Sequence, residues 1–488
     1  MFAAENAVPD LAKVLSGQLN AIGRQILSDG PPAIRFSETR AGAESMVVVA
    51  HHADVVRVLT EETTFSVCHY DPLYAAIAPP GAFVLMRPED AKRKERYAIL
   101  NAAAAKTPWF GKDATARRAL ARACVDNVIT SLERRRRFDL FGVISAPPRR
   151  RRFDLIGDFG YFVPYLVGKR LIGLPGPRRF GVVPQLVCAV NDLPVGREFT
   201  PETGPYLTGL VWSEFVLGQL FLNFENRQPV FRWVARWGAG RLRAHIERCV
   251  DEAKRLRAQI DSYADGSNKL RANLRGHIEK SRDTEADDTL LGALWLVRND
   301  FPNVSDDDYD QHVVSLMIEL MGTVQLIPGQ GFSRILGRWV KRGGPGLRSS
   351  LDLLESIDVD DFVDEQLRLA PPADHLLRNA TRPTVLGGLH VAAGEYVCAL
   401  VDAAGRDIPD EPGKVRAGRG QDCYLHFGPE GGPHRCFGHL VAHAILGEMF
   451  LGLHRLPKLG PNGELHELGG LAPGRLAVSF DEPDRGAS

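Results

Sequence analysis

One stretch constrains this chain more than any other: Tyr424 to Leu440, YLHFGPEGGPHRCFGHL, where a single thiol, Cys436, stands among glycines as an irregular loop runs into a helix. A helix start favours a thiolate, because unpaired backbone N–H groups and the positive end of the dipole bond the sulfur and lower its pKa. Gly432 and Gly438, four before and two after the cysteine, remove side chains and let the backbone lie close to a flat partner. His434 and Arg435 add donors or positive charge, suited to carboxylates at such a partner's rim. The other cysteines are scattered without a CxxC pair, and the total of seven is odd, which fits a reducing compartment and argues against a disulfide framework.

The rest of the chain sets the context for that loop. Over 488 residues, 60 basic side chains balance 60 acidic ones, so bulk charge gives no reason to expect nucleic-acid binding, and 44% hydrophobic residues allow a large core. No basic segment followed by an apolar run opens the sequence, which predicts a cytoplasmic protein without a signal peptide. The apolar stretch from Tyr206 to Phe224 contains Glu214 and Gln219, and reads as a buried or substrate-facing helix rather than a membrane span, with a membrane-dipping helix as the alternative.

The periodicity predicts strands at AIRF and MVVVA (46–50), then a helix through ADVVRVLTE. Helical patterns dominate from about 90 to 340, including Ala114 to Leu132, Ala239 to Ile278 and Ser305 to Val340. The last begins with a Ser305–Asp308 capping pattern and carries Val313, Leu316, Met317, Leu320, Val324 and Ile327 on one face, with Pro328 expected to kink or break it. VLGGLHV reads as a hairpin around Gly387 and Gly388, YVCALV as a strand, and Phe437 to Leu453 as a final helix. The expected class is therefore α+β, mainly α with a smaller β part. RRRRFDL occurs at 134–140 and again at 149–155, which reads as a small tandem duplication lengthening a surface loop, an insertion over 134–152.

The cysteine segment resembles the haem-binding signature of the cytochrome P-450 family, FGxGxHxCxG. Gly432, His434, Cys436 and Gly438 fall in register, whereas Phe427 and Gly428 stand nine and eight residues before the cysteine instead of seven and six, which implies a two-residue insertion within Pro429 to Gly431. Glu365 and Arg368 supply the family's ExxR pair, spaced to meet on one helix, and Arg419, seventeen before Cys436, stands where a third partner is expected. The resemblance implies one haem-thiolate domain over 1–488, haem b with iron held by Cys436, and cofactor contacts from Phe427, Gly432, His434, Gly438, Arg378, Glu365, Arg368 and Arg419. FDLIGDFGYFVPYLVGKRLIGLPG at 153–176 resembles a helical segment of the family, and PEDAKRKER offers Lys92, Lys94 or Arg96 as a further basic contact.

The implied activity is a monooxygenase that inserts one atom of O2 into an apolar small molecule. No flavin or nicotinamide module is visible, so a separate electron donor of ferredoxin type is expected. The long central helix departs from the family. ELMGTVQLIPGQ has Thr323, Val324 and Gln325 after Gly322, so the usual acid–alcohol pair is missing. Either Thr323 and Gln325 manage proton delivery through water, or the oxidant is a peroxide or hydroperoxide, with Gln325 or Gln330 polarising the O–O bond. Two rival classes use the same neighbourhood. Cys423, His426, His434, Cys436, His439 and His443 offer ligands for a structural zinc, though no CxxC or HExxH organises them, and a Cys–His nucleophile at Cys436 lacks a hydrolase motif around it.

Overall fold

A computed structural model describes residues 19–28, 30–37, 45–67, 91–111, 113–134, 150–173, 289–408, 411–468 and 472–481. The stretches 206–224 and 239–278, for which helices are expected, lie outside them. The described helices are α1 (Leu19–Ser28), α2 (His52–Thr60), α3 (Ala91–Ala105), α4 (Thr115–Arg134), α5 (Phe162–Ile172), α6 (Leu290–Leu296), α7 (Asp306–Val340), α8 (Val359–Leu369) and α9 (His439–His454), with short helical turns besides. None of the described helices is long and apolar enough to cross a membrane.

The strands are β1 (Ala33–Ser37), β2 (Ser45–Val49), β3 (Phe65–Ser66), β4 (Arg150–Asp154), β5 (Leu376–Ala380), β6 (Thr384–Leu386), β7 (Leu389–Val391), β8 (Tyr396–Ala399), β9 (Gly460–Leu468) and β10 (Ala472–Asp481). A five-stranded sheet runs in the order β1-β2-β8-β5-β3, with β2 and β8 parallel and the other pairs antiparallel. Its centre is apolar on both faces, which is why MVVVA reads as a continuous run rather than an alternation. Val47, Val49, Val397 and Ala399 pack with Val55 and Val58 of α2 on one side; Met46, Val48 and Cys398 pack with Leu19, Ile22 and Ile26 of α1 on the other. The hairpin forms as expected, β6 pairing β7 across Gly387 and Gly388.

The larger core is helical, built from α3 to α9 with β4 and β10 at its edge. Helix α7 starts at the expected cap: Ser305 Oγ accepts from Asp308 N–H at 3.2 Å and donates to Asp308 Oδ2 at 2.7 Å. Pro328 does not end it; α7 is one element of 35 residues.

The 153–176 segment is not helical from its start. Phe153 and Asp154 belong to β4, a π-helical stretch Leu155–Tyr161 follows, and α5 comes after it. The second copy of the repeat is likewise no loop: Arg150–Asp154 pairs with Asp481–Ala477 of β10. Phe153 is buried edge-on against Phe480 with ring centroids 5.9 Å apart, and Asp154 Oδ1 accepts from Leu476 N–H at 3.0 Å. The surface-loop reading therefore applies at most to 135–149, outside the described residues.

Candidate active site

Behind the cysteine loop lies a buried ion cluster. Glu365 and Arg368 of α8, both with 0% exposed side chains, form a bidentate pair at 2.8 Å through each carboxylate oxygen. Arg368 also donates to the carbonyls of Gly405, Pro412 and Lys414 at 2.7, 2.8 and 2.9 Å. Arg419 Nε stands 3.2 Å from Glu365 Oε1, and the Arg416 N–H donates to Oε2 at 2.9 Å. The three residues expected to act together do meet, and through them α8 holds the otherwise irregular run 405–419. A charge buried this deeply persists only when paired and hydrogen-bonded.

Cys436 sits just before α9. Its N–H donates to the Phe427 carbonyl at 2.7 Å, so the inserted residues form a turn that returns the chain to Phe427. Gly428, at φ +83°, makes that return: a Cβ there would lie 3.3 Å from Arg435 Cα, in a conformation that favours glycine. Phe427 packs on His426, with centroids 4.6 Å apart, and Phe437 on Phe110 at 4.9 Å. Burial pushes the Cys436 thiol up to about 11, against the backbone N–H of Gly438 and the charge of Arg435, which pull it down. The helix-start effect is present, but desolvation outweighs it. The thiol holds its proton until a cation displaces it.

The basic side of the site differs from expectation. Lys92 and Lys94 are exposed, and Arg96 turns to His312, donating from Nε to Nδ1 at 2.8 Å. The residue between the lysines, Arg93, is the one that reaches the loop. It is buried, donates to the Pro433 carbonyl, and stands 3.4 Å from His434 Nδ1 and from Glu62. His434 Nε2 is 3.2 Å from Glu62 Oε1. Arg378, on β5, is also buried and donates to the Leu377 carbonyl at 2.7 Å. Arg93 escaped sequence reasoning because three basic neighbours flank it; only its place on the buried face of α3, with Arg96 and Ile99, distinguishes it. Of the central helix, Thr323 Oγ1 donates to the Glu319 carbonyl at 2.9 Å, whereas the side chain of Gln325 lies outside the described residues.

The histidines proposed for zinc do not converge on Cys436. His426 and His443 both bind Asp364 Oδ1, at 3.2 and 3.1 Å, and His443 Nδ1 is 3.0 Å from Asp360. His439 Nδ1–H donates to the Cys436 carbonyl at 2.9 Å. Burial would lower the pKa of His443, yet hydrogen bonds to the two aspartates raise it to about 9, and those bonds hold Asp364 well below the usual carboxylate range despite its own burial. These groups line a cavity of about 240 Å³ behind the loop, with Tyr424, Arg117 and Arg435.

The donor set suits haem. One sulfur, with no convergent second ligand among the described residues, fits an iron held by a single thiolate, and buried Arg93 and Arg378 fit anionic propionates. The comparisons agree at the level of the fold, which is that of the bacterial cytochromes P450. P450BioI, in complex with an acyl carrier protein ligated to hexadec-9Z-enoic acid, is similar with a TM-score of 0.64 and 14% identity, over 96% of this chain and 99% of that one. CYP154A1 from Streptomyces coelicolor A3(2) gives a TM-score of 0.62 and 16% identity, over 95% and 98%. Among curated proteins, the 20-oxo-5-O-mycaminosyltylactone 23-monooxygenase of Streptomyces fradiae is 37% identical over 107 residues. That match spans 21% of this chain and a quarter (25%) of that enzyme. No protein-family model matches the chain.

Proposed function

We propose that residues 1–488 form one haem-thiolate domain acting in the cytoplasm as a monooxygenase, inserting one atom of O2 into an apolar small molecule with electrons from a separate ferredoxin-type donor. The observation that carries this reading is Cys436, held before α9 by its bond to the Phe427 carbonyl, with the Gly438 N–H directed at the sulfur. When bound through that sulfur, haem b supplies O–O bond cleavage. The chain's own residues hold and shield it. Arg93, Arg378 and His434 would meet its carboxylates, and the Glu365–Arg368–Arg419 cluster holds the run 405–419 ahead of the loop bearing Phe427, Gly432, Cys436 and Gly438. Phe427 and Phe437 exclude water from the sulfur. Thr323 and Gln325, both in the sequence of α7, are the residues assigned to the oxygen chemistry. Macrolide-type lactones are the substrates to try first, since the curated relative is a tylactone monooxygenase and P450 EryK, similar at a TM-score of 0.61 and 17% identity, was solved with erythromycin B.

The test is spectroscopic. The reduced protein under carbon monoxide should show the red-shifted band of a thiolate-ligated haem, and Cys436→Ser should abolish it. A colourless protein, or a band unchanged in Cys436→Ser, refutes the assignment. Product formed with a reductase chain and air, but not with peroxide alone, distinguishes the monooxygenase from a peroxide-driven enzyme.

A further inference from the structure

Two adjacent acids follow helix α2, and the structure separates them. Glu61 stays local and partly exposed, paired with Arg57 four residues earlier at 2.9 Å. Glu62 turns inward, with 11% of its side chain exposed. Nothing in TEETTFS distinguishes the two. A carboxylate taken out of water costs free energy unless charged or hydrogen-bonding groups meet it, so the partners of Glu62 show what it is for.

Those partners are residues assigned to the cofactor's carboxylates. Arg93 Nη1, on α3, donates to Glu62 Oε2 at 3.4 Å and to Oε1 at 3.5 Å, and His434 Nε2 lies 3.2 Å from Oε1. The two also meet each other, with Arg93 Nη2 3.4 Å from His434 Nδ1. A guanidinium has only donors, so Nδ1 accepts and the ring proton sits on Nε2, donating to Glu62. The triad is closed, each member bonded to the other two, and about nine-tenths of every side chain is buried. Arg93 donates further to the Pro433 carbonyl, which ties α3 to the cysteine loop.

The turn that carries Glu62 is anchored to the strand of the third basic residue. The N–H groups of Thr64 and Phe65 both donate to the Glu61 carbonyl, at 2.9 and 2.8 Å, and Phe65 and Ser66 of β3 pair with Ala380 and Asn379 of β5, the strand that bears Arg378. Arg382 Nη2 donates to Thr64 Oγ1 at 2.9 Å, and the Thr381 N–H to the Thr64 carbonyl at 2.9 Å. One short turn thus joins α3, the cysteine loop and β5. We infer that Glu62 is the positioning residue of the cofactor's carboxylate side, holding the Arg93 fork and the His434 ring in fixed orientations, an assignment that rests on the haem-thiolate reading. A long arginine side chain gives up rotamer freedom when it binds, and one already held gives up less. Arg93 and Arg378 set against Glu62 leave a net positive charge among the three, so the clamp keeps that side attractive to an anion.

The test compares full-length holoprotein, wild type, Glu62→Ala and Glu62→Gln. The wild-type carbon monoxide spectrum comes first, since a missing red-shifted band sinks the haem-thiolate reading and is scored separately. With the band present, haem loss to excess apomyoglobin should be about tenfold faster in Glu62→Ala, the scale found when a group that orients direct ligands is removed. Glu62→Gln, which keeps an acceptor oxygen for the same donors and drops the charge, should stay within about threefold of wild type. Resonance Raman spectra should show the propionate bending bands shifted in Glu62→Ala and the iron–sulfur stretch unmoved, which separates loosened carboxylate contacts from a general loosening of the fold. Loss less than about threefold faster in Glu62→Ala, Glu62→Gln outside that range, or both sets of bands moving together overturns the inference. If Glu62→Ala cannot hold the cofactor, Glu62→Asp, one methylene shorter, carries the test: faster loss with shifted propionate bands supports the clamp, and wild-type values overturn it.

Discussion

Replacing Arg368 with methionine tests whether one buried ion cluster holds the cysteine loop. The side chain is 0% exposed and makes five hydrogen bonds, two to Glu365 and one each to the carbonyls of Gly405, Pro412 and Lys414. Methionine keeps part of the volume and none of the donors. Removing one partner of a buried pair costs about 3–5 kcal/mol. Glu365 retains Arg419 at 3.2 Å and the Arg416 N–H at 2.9 Å, which moves the expected loss toward the lower end of that range. Each orphaned carbonyl adds about 1–3 kcal/mol if it stays dry. Lys414 is exposed, so its stretch of loop can turn toward water and recover part of this. The balance is about 4 kcal/mol, a large fraction of the ~5–15 kcal/mol that keeps a domain folded. Urea unfolding at fixed cofactor saturation, followed by circular dichroism, measures it for Arg368→Met, Glu365→Met and the double variant. The double variant should lose at least about 2 kcal/mol less than the sum of the singles, because removing both charges leaves none stranded. A loss under about 1 kcal/mol in Arg368→Met, or strict additivity, refutes the reasoning.

Two further outcomes follow from the same geometry. His443, raised to about 9 by its two aspartates, contributes stability in full below its unfolded value and loses it as pH climbs through about 9. Asp360 and Asp364, both depressed, contribute above the ordinary carboxylate range and lose stability as pH falls below it, while His426, depressed by burial, adds a penalty in acid. Stability should therefore decline by about 2–3 kcal/mol between roughly pH 6.5 and 9.5, and His443→Gln should flatten that limb in urea titrations; an unflattened decline would assign it to other groups. Separately, deleting residues 138–152 joins Arg137 to Phe153 and leaves one RRRRFDL in front of Ile156, so the strand β4 retains its sequence. The thermal midpoint should move by less than about 3 °C, whereas unfolding at room temperature would show that 135–149 holds the fold together.

Much of this was legible because the relevant signals are local. The Ser305 cap, the hairpin glycines, the apolar run of β2 and the 365/368 spacing each depend on residues close in sequence, and each forms as expected. What was not legible depends on partners distant in the chain. RRRRFDL reads as charged loop until β10, some three hundred residues later, supplies a neighbour for Phe153. Arg93 stands out from Lys92 and Lys94 only once α3 is packed and its Pro433 and Glu62 contacts exist. The pKa of Cys436 divides in the same way: the helix start is visible in sequence, but the desolvation that outweighs it is not.

The fold tolerates wide substitution, with a TM-score of 0.64 at 14% identity to P450BioI, and the physics says where tolerance must end. Apolar core positions admit exchange as long as volume and pattern persist. A buried carboxylate bonded by Arg368 and a backbone N–H and ion-paired with Arg419 admits no single change of a charged partner, since each strands a charge. Gly428 at φ +83° is confined by the backbone conformation itself. The sulfur side of the site is thus over-determined, and variation is free only where no such constraint acts. Helix α7 meets the core constraint on one face: Val313, Leu316, Leu320 and Val324 pack in the core, while the adjoining face carries Ser315, Glu319 and Thr323.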